Sequence, residues 1–262
     1  MGDMRSFVRI FLLVILPGAV ILMEGETGSL LVIIFLFAIM MYFANVSLKI
    51  LGVLGAVGIL GILALFGIMV WTGSSDYRLA RIFGFLNPEM YASSDAYQQT
   101  MSKMVIGSGG LTGNGMFVDG AMSQLNYVPA DWTDFVYATI GETWGFVGCV
   151  LVLAGYLAIL LRMLYLAWFT RDKFGRLIIV GVMGMLLFHV MENIAMTLGL
   201  MPITGIPLPF LSYGGSNMVT NMGGVGLVLN VTRNRSISIT ANTPQTFYNP
   251  YRIHRHFRTR PY

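Results

Sequence analysis

Residues 135–161, "FVYATIGETWGFVGCVLVLAGYLAILL", decide the fold class of this chain. Glu142 is the one charged side chain in the stretch. An α-helix rises about 1.5 Å per residue, so about 20 apolar residues cross the roughly 30 Å hydrocarbon layer of a bilayer. The stretch is longer than that and therefore predicts a transmembrane helix.

The rest of the chain has the composition of a membrane protein. Of its 262 residues, 56% are hydrophobic and only 11% are charged, and its mean hydropathy is +0.72. These values exclude an ordinary soluble domain. We predict an all-α polytopic membrane protein with about six transmembrane helices, at residues 7–23, 30–48, 50–71, 135–161, 177–200 and 210–231.

The basic residues predict which side of the membrane each loop faces. Alternate loops and the carboxy-terminal tail hold 13 of the 16 lysines and arginines, the exceptions being Arg78, Arg81 and Lys103. Cytoplasmic loops carry such an excess of positive charge. We therefore expect both termini to be cytoplasmic and the long loop 72–133 to be external.

The long loop and the tail complete the predicted organisation. Within the loop, residues 75–89 and 95–106 have the pattern of amphipathic helices that lie on the outer leaflet. The membrane domain is predicted to span residues 1–235, followed by a basic tail at residues 236–262. We expect the tail to contact anionic lipid and not nucleic acid, because no nucleic-acid-binding fold accompanies it.

Two irregular segments lie between predicted spans. The glycine-rich segment "GSGGLTGNG", residues 107–115, is either a flexible loop or an anion nest of exposed backbone N–H groups. Residues 200–217, "LMPITGIPLPFLSYGGSN", hold three prolines that forbid a continuous helix. At membrane depth such a segment needs a protein-lined or water-filled cavity, which favours a re-entrant functional loop over an ordinary connector.

Asp134 directly precedes the stretch 135–161, and two roles are open for it. In one, Asp131 or Thr133 caps the helix and Asp134 lies in its first turn, where the helix dipole favours a carboxylate. In the other, Asp134 is a general base at the outer membrane surface. Glu142 would lie about 12 Å away along the helix, beyond the roughly 5–9.5 Å between paired carboxylates in glycosidases. If Asp134 acts, it therefore acts alone.

Three more residues inside predicted spans are chemically distinctive. His189 and Glu192 share a helix face, and we interpret them as a structural polar contact because a metal site would lack a third ligand. Cys149 is the one cysteine, which excludes a disulfide within the chain and a cysteine-based metal site.

Four motifs, in this order, resemble the SEDS family, the RodA/FtsW/SpoVE-type peptidoglycan glycosyltransferases. They are "RIFGFLNPE", "SKMVIGSGGLTGNGM", "SQLNYVPADWTDFVYATIGETWGFVG" and "NIAMTLGLMPITGIPLPFLSYGGSN". The segments "FLNPE" and "SQLNYVP" resemble RodA sequences more closely than FtsW sequences. The resemblance runs from the first span to about Arg235, and it covers the later part of a ten-helix SEDS fold, from near the fifth span onward.

The resemblance implies an enzyme of the bacterial plasma membrane that polymerises lipid II for cell elongation and shape. It gives Asp134 the place of the family's catalytic aspartate, the general base of an inverting transfer on the outer side. The implied partners are lipid II, a class B penicillin-binding protein transpeptidase and membrane lipids. A divalent cation, Mg or Mn, is also implied, but the sequence identifies no site for it. The expected substrate-binding residues are Lys103, Arg78, Arg81, Gly107, Gly109, Gly110, Pro207, Ser212, Gly214, Gly215 and Ser216.

The chain departs from the family pattern at several positions. Trp132 replaces a usual His, and Asn217 replaces the last residue of a Gly-Gly-Ser-Ser motif. His189 replaces a common Gln, and Glu192 replaces a common apolar residue. A lipid-linked precursor transporter and an inactive truncated scaffold that binds the transpeptidase are the alternative functions. A transporter would explain the cavity loops but not a lone external Asp134 beside basic residues.

Overall fold

The α-helix is the regular secondary structure of the part that the computed structural model describes. That part comprises residues 4–24, 26–47, 49–53, 55–56, 84–85, 94–116 and 132–241, and it holds no strand. Six helices in these ranges have defined bounds: α1 at Met4–Glu24, α2 at Thr27–Phe43, α3 at Ser94–Ser108, α4 at Val136–Phe169, α5 at Lys173–Thr197 and α6 at Gly215–Ala241. By length and composition, α4 and α5 are the two described helices that could cross a membrane, while α1 and α2 contain shorter apolar stretches.

The helix bounds confirm the all-α prediction and correct several predicted ends. Helix α2 stops at Phe43, before the predicted end at residue 48, and Asn45 beyond it has φ 60 in the left-handed region. Helix α4 continues past the predicted end at residue 161 as far as Phe169. The predicted span 50–71 lies mostly outside the described residues.

The largest correction concerns the start of α6. The apolar pattern placed it at residue 210, but the helix begins at Gly215. Proline at positions 207 and 209 removes two backbone donors, and Phe210 has φ 64, which no helix accommodates. The helix then continues to Ala241, past the predicted domain boundary after residue 235, and residues 242–262 lie outside the described part.

Helix α5 is the centre of the described bundle. It contacts α2, α3, α4 and α6. Its apolar side chains Ile179, Val180 and Leu186 are almost completely buried. Helices α2, α4 and α6 therefore pack directly on α5, whereas α1 packs on α2 and α3 packs mainly on α4.

Helix α3 confirms that residues 95–106, in the second half of the long loop, are helical. This helix packs against other helices of the protein on one side and is exposed on the other. It contacts α4 and α5. Tyr97 and Met104, two of the apolar residues that suggested an amphipathic helix, are 45% and 44% exposed. The polar residues Gln99 and Ser102 are buried instead. The other predicted amphipathic segment, residues 75–89, lies almost wholly outside the described part.

The buried polar face of α3 bonds to the carbonyl end of α5. The Gln99 amide donates to Met196 O (3.1 Å) and Met201 O (2.7 Å), and the Ser102 hydroxyl donates to Thr197 O (2.9 Å). Met196 O also accepts from Gly199 N (3.1 Å), so Gln99 adds a second bond to that carbonyl. Thr197 O ends α5 and Met201 O lies just beyond it, where helical partners run out, so α3 supplies donors to these two carbonyls.

Helix α4 is interrupted at Gly145. This residue has φ 65 and ψ −162, far from helical values. In an unbroken helix, the N–H groups of Phe146 and Val147 would bond the carbonyls of Glu142 and Thr143. The break removes those partners inside a transmembrane segment, where lipid offers none.

The glycine-rich segment supplies the missing partners. Four backbone hydrogen bonds join it to α4: Asn114 N to Glu142 O (2.9 Å), Gly115 N to Thr143 O (3.0 Å), Phe146 N to Gly110 O (2.9 Å) and Val147 N to Leu111 O (3.1 Å). Both halves of the broken helix are thereby satisfied by one inserted loop. The anion-nest interpretation is wrong for residues 113–115, because their N–H groups bond within the protein.

This close approach of two backbones requires glycine. Gly113 has φ 80, and a Cβ there would lie 2.2 Å from Thr143 O. A Cβ on Gly145 would lie 2.3 Å from Gly113 N. Both distances are far below van der Waals contact, so either substitution separates the loop from the helix.

We predict that Gly113→Ala lowers the free energy of unfolding by about 2–4 kcal/mol, from backbone strain and the lost loop contact. Gly107→Ala is the matched control, because nothing lies within 4 Å of its Cβ position. Thermal unfolding of the full chain in detergent measures both. Equal stability of the two variants would contradict the insertion of the loop into α4.

Candidate functional site

The segment 199–214, here called the proline loop, connects α5 to α6 and lies against the residues before α4. Three consecutive carbonyls before α4 accept hydrogen bonds from the loop or from α5: Trp132 O from Tyr213 N (2.9 Å), Thr133 O from the Ser212 hydroxyl, and Asp134 O from Asn193 Nδ2 (2.7 Å). A backbone held at three successive carbonyls has little freedom to move. The position of Asp134 is therefore set by contacts distant in sequence.

Two buried side chains link the proline loop to this segment. The Asn193 amide also donates to Ile206 O (2.8 Å), and the Ser212 hydroxyl also accepts from Leu208 N (2.7 Å). Asn193 is fully buried, and Ser212 is 3% exposed. The Tyr156 hydroxyl of α4 donates a hydrogen bond to Pro209 O in the loop. The irregular backbone is thus satisfied by protein, as membrane depth requires.

The Asp134 side chain is half-buried beside the proline loop. Its Oδ2 lies 3.6 Å from the point that a Cβ on Gly205 would occupy, and Gly205 has φ 73. Glycine at this position therefore gives the loop its turn next to the carboxylate. An L-residue there would be strained and would contact the carboxylate directly.

The helix-start interpretation of Asp134 is wrong. The N-cap of α4 is Phe135, which makes no side-chain capping bond, and the first turn holds no acidic residue. Asp134 precedes the cap, and Thr133 does not occupy it. Asp131 lies outside the described residues.

Lys103 reaches the same loop from α3. A Cβ on Gly199, just beyond the end of α5, would lie 2.9 Å from Lys103 Nζ. The carbonyl end of a helix attracts a cation, so the Lys103 ammonium can stabilise the end of α5 electrostatically. Lys103 and Asp134 thus contact one loop, at Gly199 and Gly205.

The structure separates the remaining predicted site residues into groups. Arg78 and Arg81 lie outside the described residues. A Cβ on Gly109 would lie 1.9 Å from Gly141 O, and Gly110 has φ 53, so both support the packing of the glycine-rich segment on α4. Gly107 is exposed with open space around it.

The predicted residues of the proline loop have different environments. Ser212 is part of the hydrogen-bonded link described above. Pro207 and Gly214 are half-buried, and Gly215 and Ser216 are exposed at the start of α6. The structure therefore brings Asp134, Lys103 and Ser212 to one loop, while the glycine-rich segment completes α4.

Sequence reasoning missed Asn193, which bonds both Asp134 and the loop. A buried amide within an apolar run is a signal that could have found it, because polar groups inside a membrane are retained only where they have partners. It begins the motif "NIAMTLGL", but the sequence does not reveal which distant carbonyls it meets.

His189 and Glu192 contact different partners. His189 Nδ1 lies 2.7 Å from Met185 O on its own helix. Glu192 is 1% exposed and hydrogen-bonds Thr204 of the proline loop, while its Oε2 has no partner among the described residues. Glu192 therefore contacts the same loop, one residue from Gly205.

The chain is similar to curated peptidoglycan glycosyltransferases. Peptidoglycan glycosyltransferase RodA of Treponema pallidum is 43% identical over 155 residues, which are 59% of this chain and 36% of that protein. Peptidoglycan glycosyltransferase MrdB of Escherichia coli K12 is 31% identical over 225 residues, 86% of this chain and 60% of that protein. The chain thus spans about one to two thirds of the length of these relatives.

A solved structure and a family model agree with these relatives. A chain from a peptidoglycan synthase complex, described as coordinating polymerization and crosslinking, superimposes with a TM-score of 0.69 at 28% identity. The match covers 90% of this chain and 64% of that one. The family model described as "Cell cycle protein", FTSW_RODA_SPOVE, matches residues 2–237. The chain therefore belongs to the FtsW/RodA/SpoVE family and has the all-α polytopic membrane fold of its structural neighbours.

Proposed function

We propose that this chain is a RodA-like peptidoglycan glycosyltransferase that polymerises lipid II into glycan strands for cell elongation, with Asp134 as general base. The main support is the placement of Asp134, whose backbone is held at three consecutive carbonyls while its carboxylate lies beside Gly205, outside the helix cap. General-base catalysis requires such a positioned carboxylate. The names of the Treponema and Escherichia relatives add support.

The proposed reaction needs one base and a good leaving group. Asp134 accepts the proton of the acceptor sugar hydroxyl of one lipid II. The hydroxyl oxygen forms a bond to the anomeric carbon of the donor's MurNAc unit from the opposite face. The bond from that carbon to undecaprenyl diphosphate breaks, and the diphosphate leaves with the bonding electron pair. The configuration at the anomeric carbon is inverted.

Cations near the loop would stabilise the leaving diphosphate. Lys103 reaches the proline loop at Gly199, and Arg78 and Arg81 are further candidates from the sequence. A fixed positive charge is most effective in a site with little water. Gly214 ends the loop and Gly215 and Ser216 begin α6, and these residues would shape the opening toward the substrate.

The described residues offer no ready-made cluster of protein ligands for the divalent cation that the family resemblance implies. No group of three or more His, Cys, Asp or Glu side chains is found within the described ranges. No step of the proposed reaction is routed through a metal ion.

The proposed partner is a class B penicillin-binding protein that cross-links the new strand. The similar chain from a peptidoglycan synthase complex supports this assignment, since that complex coordinates polymerization with crosslinking. Polymerisation and crosslinking at one membrane site would pass each strand directly to the transpeptidase.

The proposal places Asp134 on the outer side, because the basic loops favour a cytoplasmic position for residues 171–176. In a Cys149→Ala background, Thr112→Cys should react with a membrane-impermeant thiol reagent in intact cells, and Lys173→Cys should not. Labelling of Lys173→Cys would reverse the orientation and remove the external site.

We expect Asp134→Asn to lower the rate of lipid II polymerisation by about 100- to 10,000-fold, because the amide cannot accept the proton. The hydrogen bonds to the Trp132, Thr133 and Asp134 carbonyls do not involve the carboxylate and should persist in this variant. The assay measures glycan-strand formation from purified lipid II by membranes containing the full chain.

Asp131→Asn is the matched control for this experiment and should retain most activity. Wild-type polymerisation by Asp134→Asn would exclude Asp134 as the base. Loss of activity in the Asp131 variant alone would assign the role to the other aspartate. Lipid II translocation without polymerisation by the wild-type chain would support the transporter.

Lys103→Ala should lower kcat/KM for lipid II by about 10- to 100-fold, and Lys103→Arg should recover most of it, because the requirement is for charge. The unfolding midpoint of each variant is measured in parallel. If Lys103→Ala is less stable but polymerises normally per folded molecule, Lys103 stabilises the end of α5 and does not bind the diphosphate.

A further inference from the structure

A cavity of about 440 Å³ lies where α2 and α4 end and α5 begins. Its wall includes three aromatic side chains, Tyr42, Phe43 and Trp168, and one cation, Arg176. Its lining residues on α4 lie about 45–50 Å along the chain from Asp134, at about 1.5 Å per residue, so it is separate from the proposed catalytic site. Its volume is within the roughly 300–1,000 Å³ typical of small-ligand sites.

Arg176 gives this cavity an unsatisfied donor. Its Nε is buried and has no hydrogen-bond partner among the described residues. The acidic residue one turn earlier, Asp172, accepts from Phe174 N (3.3 Å) and Gly175 N (2.7 Å) as the N-cap of α5. A buried donor without a partner is costly, and an anionic oxygen is the acceptor that a guanidinium binds best.

The rim of the cavity has the features of a membrane–water interface. Trp168 is 79% exposed and Tyr42 is 56% exposed, and such amphipathic rings concentrate at lipid headgroup level. Arg171 and Lys173 are exposed close by in the sequence. Basic pockets between transmembrane helices on the cytoplasmic side bind lipid headgroups.

We propose that this cavity binds the phosphate headgroup of an anionic phospholipid of the cytoplasmic leaflet. The Arg176 guanidinium bonds a phosphate oxygen, and the exposed indole of Trp168 lies at headgroup level. The apolar wall at Val46 and Leu164 contacts the upper acyl chain. The site would couple the cytoplasmic ends of α2, α4 and α5 to the lipid composition of the membrane. It is independent of the polymerase proposal and uses only the proposed orientation.

Native mass spectrometry of the full chain in detergent tests this site. Phosphatidylglycerol and phosphatidylcholine with identical acyl chains are titrated separately, and bound lipid is counted. We expect phosphatidylglycerol to bind at least about tenfold more tightly, and Arg176→Gln to remove that advantage, as loss of a charged hydrogen bond implies. Arg171→Gln, an exposed cation on the same side, should change affinity by less than about threefold.

A second variant keeps the test independent of the fold around Arg176. Leu164→Trp fills the cavity from its exposed edge and should weaken phosphatidylglycerol binding while the guanidinium remains. Equal binding of both lipids, or unchanged binding in Arg176→Gln and Leu164→Trp, would overturn the site. An equal loss in Arg171→Gln would show general surface attraction instead. Displacement of the lipid by inorganic phosphate would make free phosphate the ligand and overturn the lipid assignment.

Discussion

The side-chain amide of Asn193 is the interaction on which the proposed site depends. It joins three separate parts of the chain, because it belongs to α5 and donates to Asp134 O before α4 and to Ile206 O in the proline loop. Both carbonyls lie outside the helices, and hydrocarbon supplies no donor. Each unsatisfied carbonyl would cost about 1–3 kcal/mol, so this one amide favours a single arrangement of the loop and the aspartate. Ser212 and Tyr213 extend the same link to the two preceding carbonyls.

The same physical requirement explains both irregular segments. The glycine-rich segment enters α4 at Gly145 and exchanges backbone bonds with it, so its glycines are needed for close approach. The proline loop is bonded to α3, α4 and α5, and its Gly205 leaves space beside the Asp134 carboxylate. One segment completes a helix, and the other positions a reactive group. Their compositions look alike in sequence, but their hydrogen bonds give them different roles.

Glu192 is a second polar residue of α5 that reaches the proline loop. Its buried carboxyl bonds Thr204, next to Gly205. This contact adds a second polar link from α5 to the proline loop, beside that of Asn193. At the far end of the bundle, Arg176 presents a buried donor to a cavity at the proposed inner surface. In the proposed orientation, α4 and α5 extend from the proposed catalytic site on the outer side to the proposed lipid-binding cavity on the inner side.

The sequence by itself determined the helical membrane class and the approximate positions of most of the described helices, and its resemblance to the family selected Asp134 as the candidate base. Apolar run length is a local property set by bilayer thickness, and the motif around Asp134 is contiguous. Only the tertiary structure decided the start of α6, the buried polar face of α3 and the backbone hydrogen bonds that join the glycine-rich segment to α4 around Gly145. It also decided which carbonyls Asn193 meets, 59 and 13 residues away along the chain. These features depend on hydrogen bonds between segments distant in sequence, and hydrophobic periodicity carries no information about which buried donor meets which carbonyl.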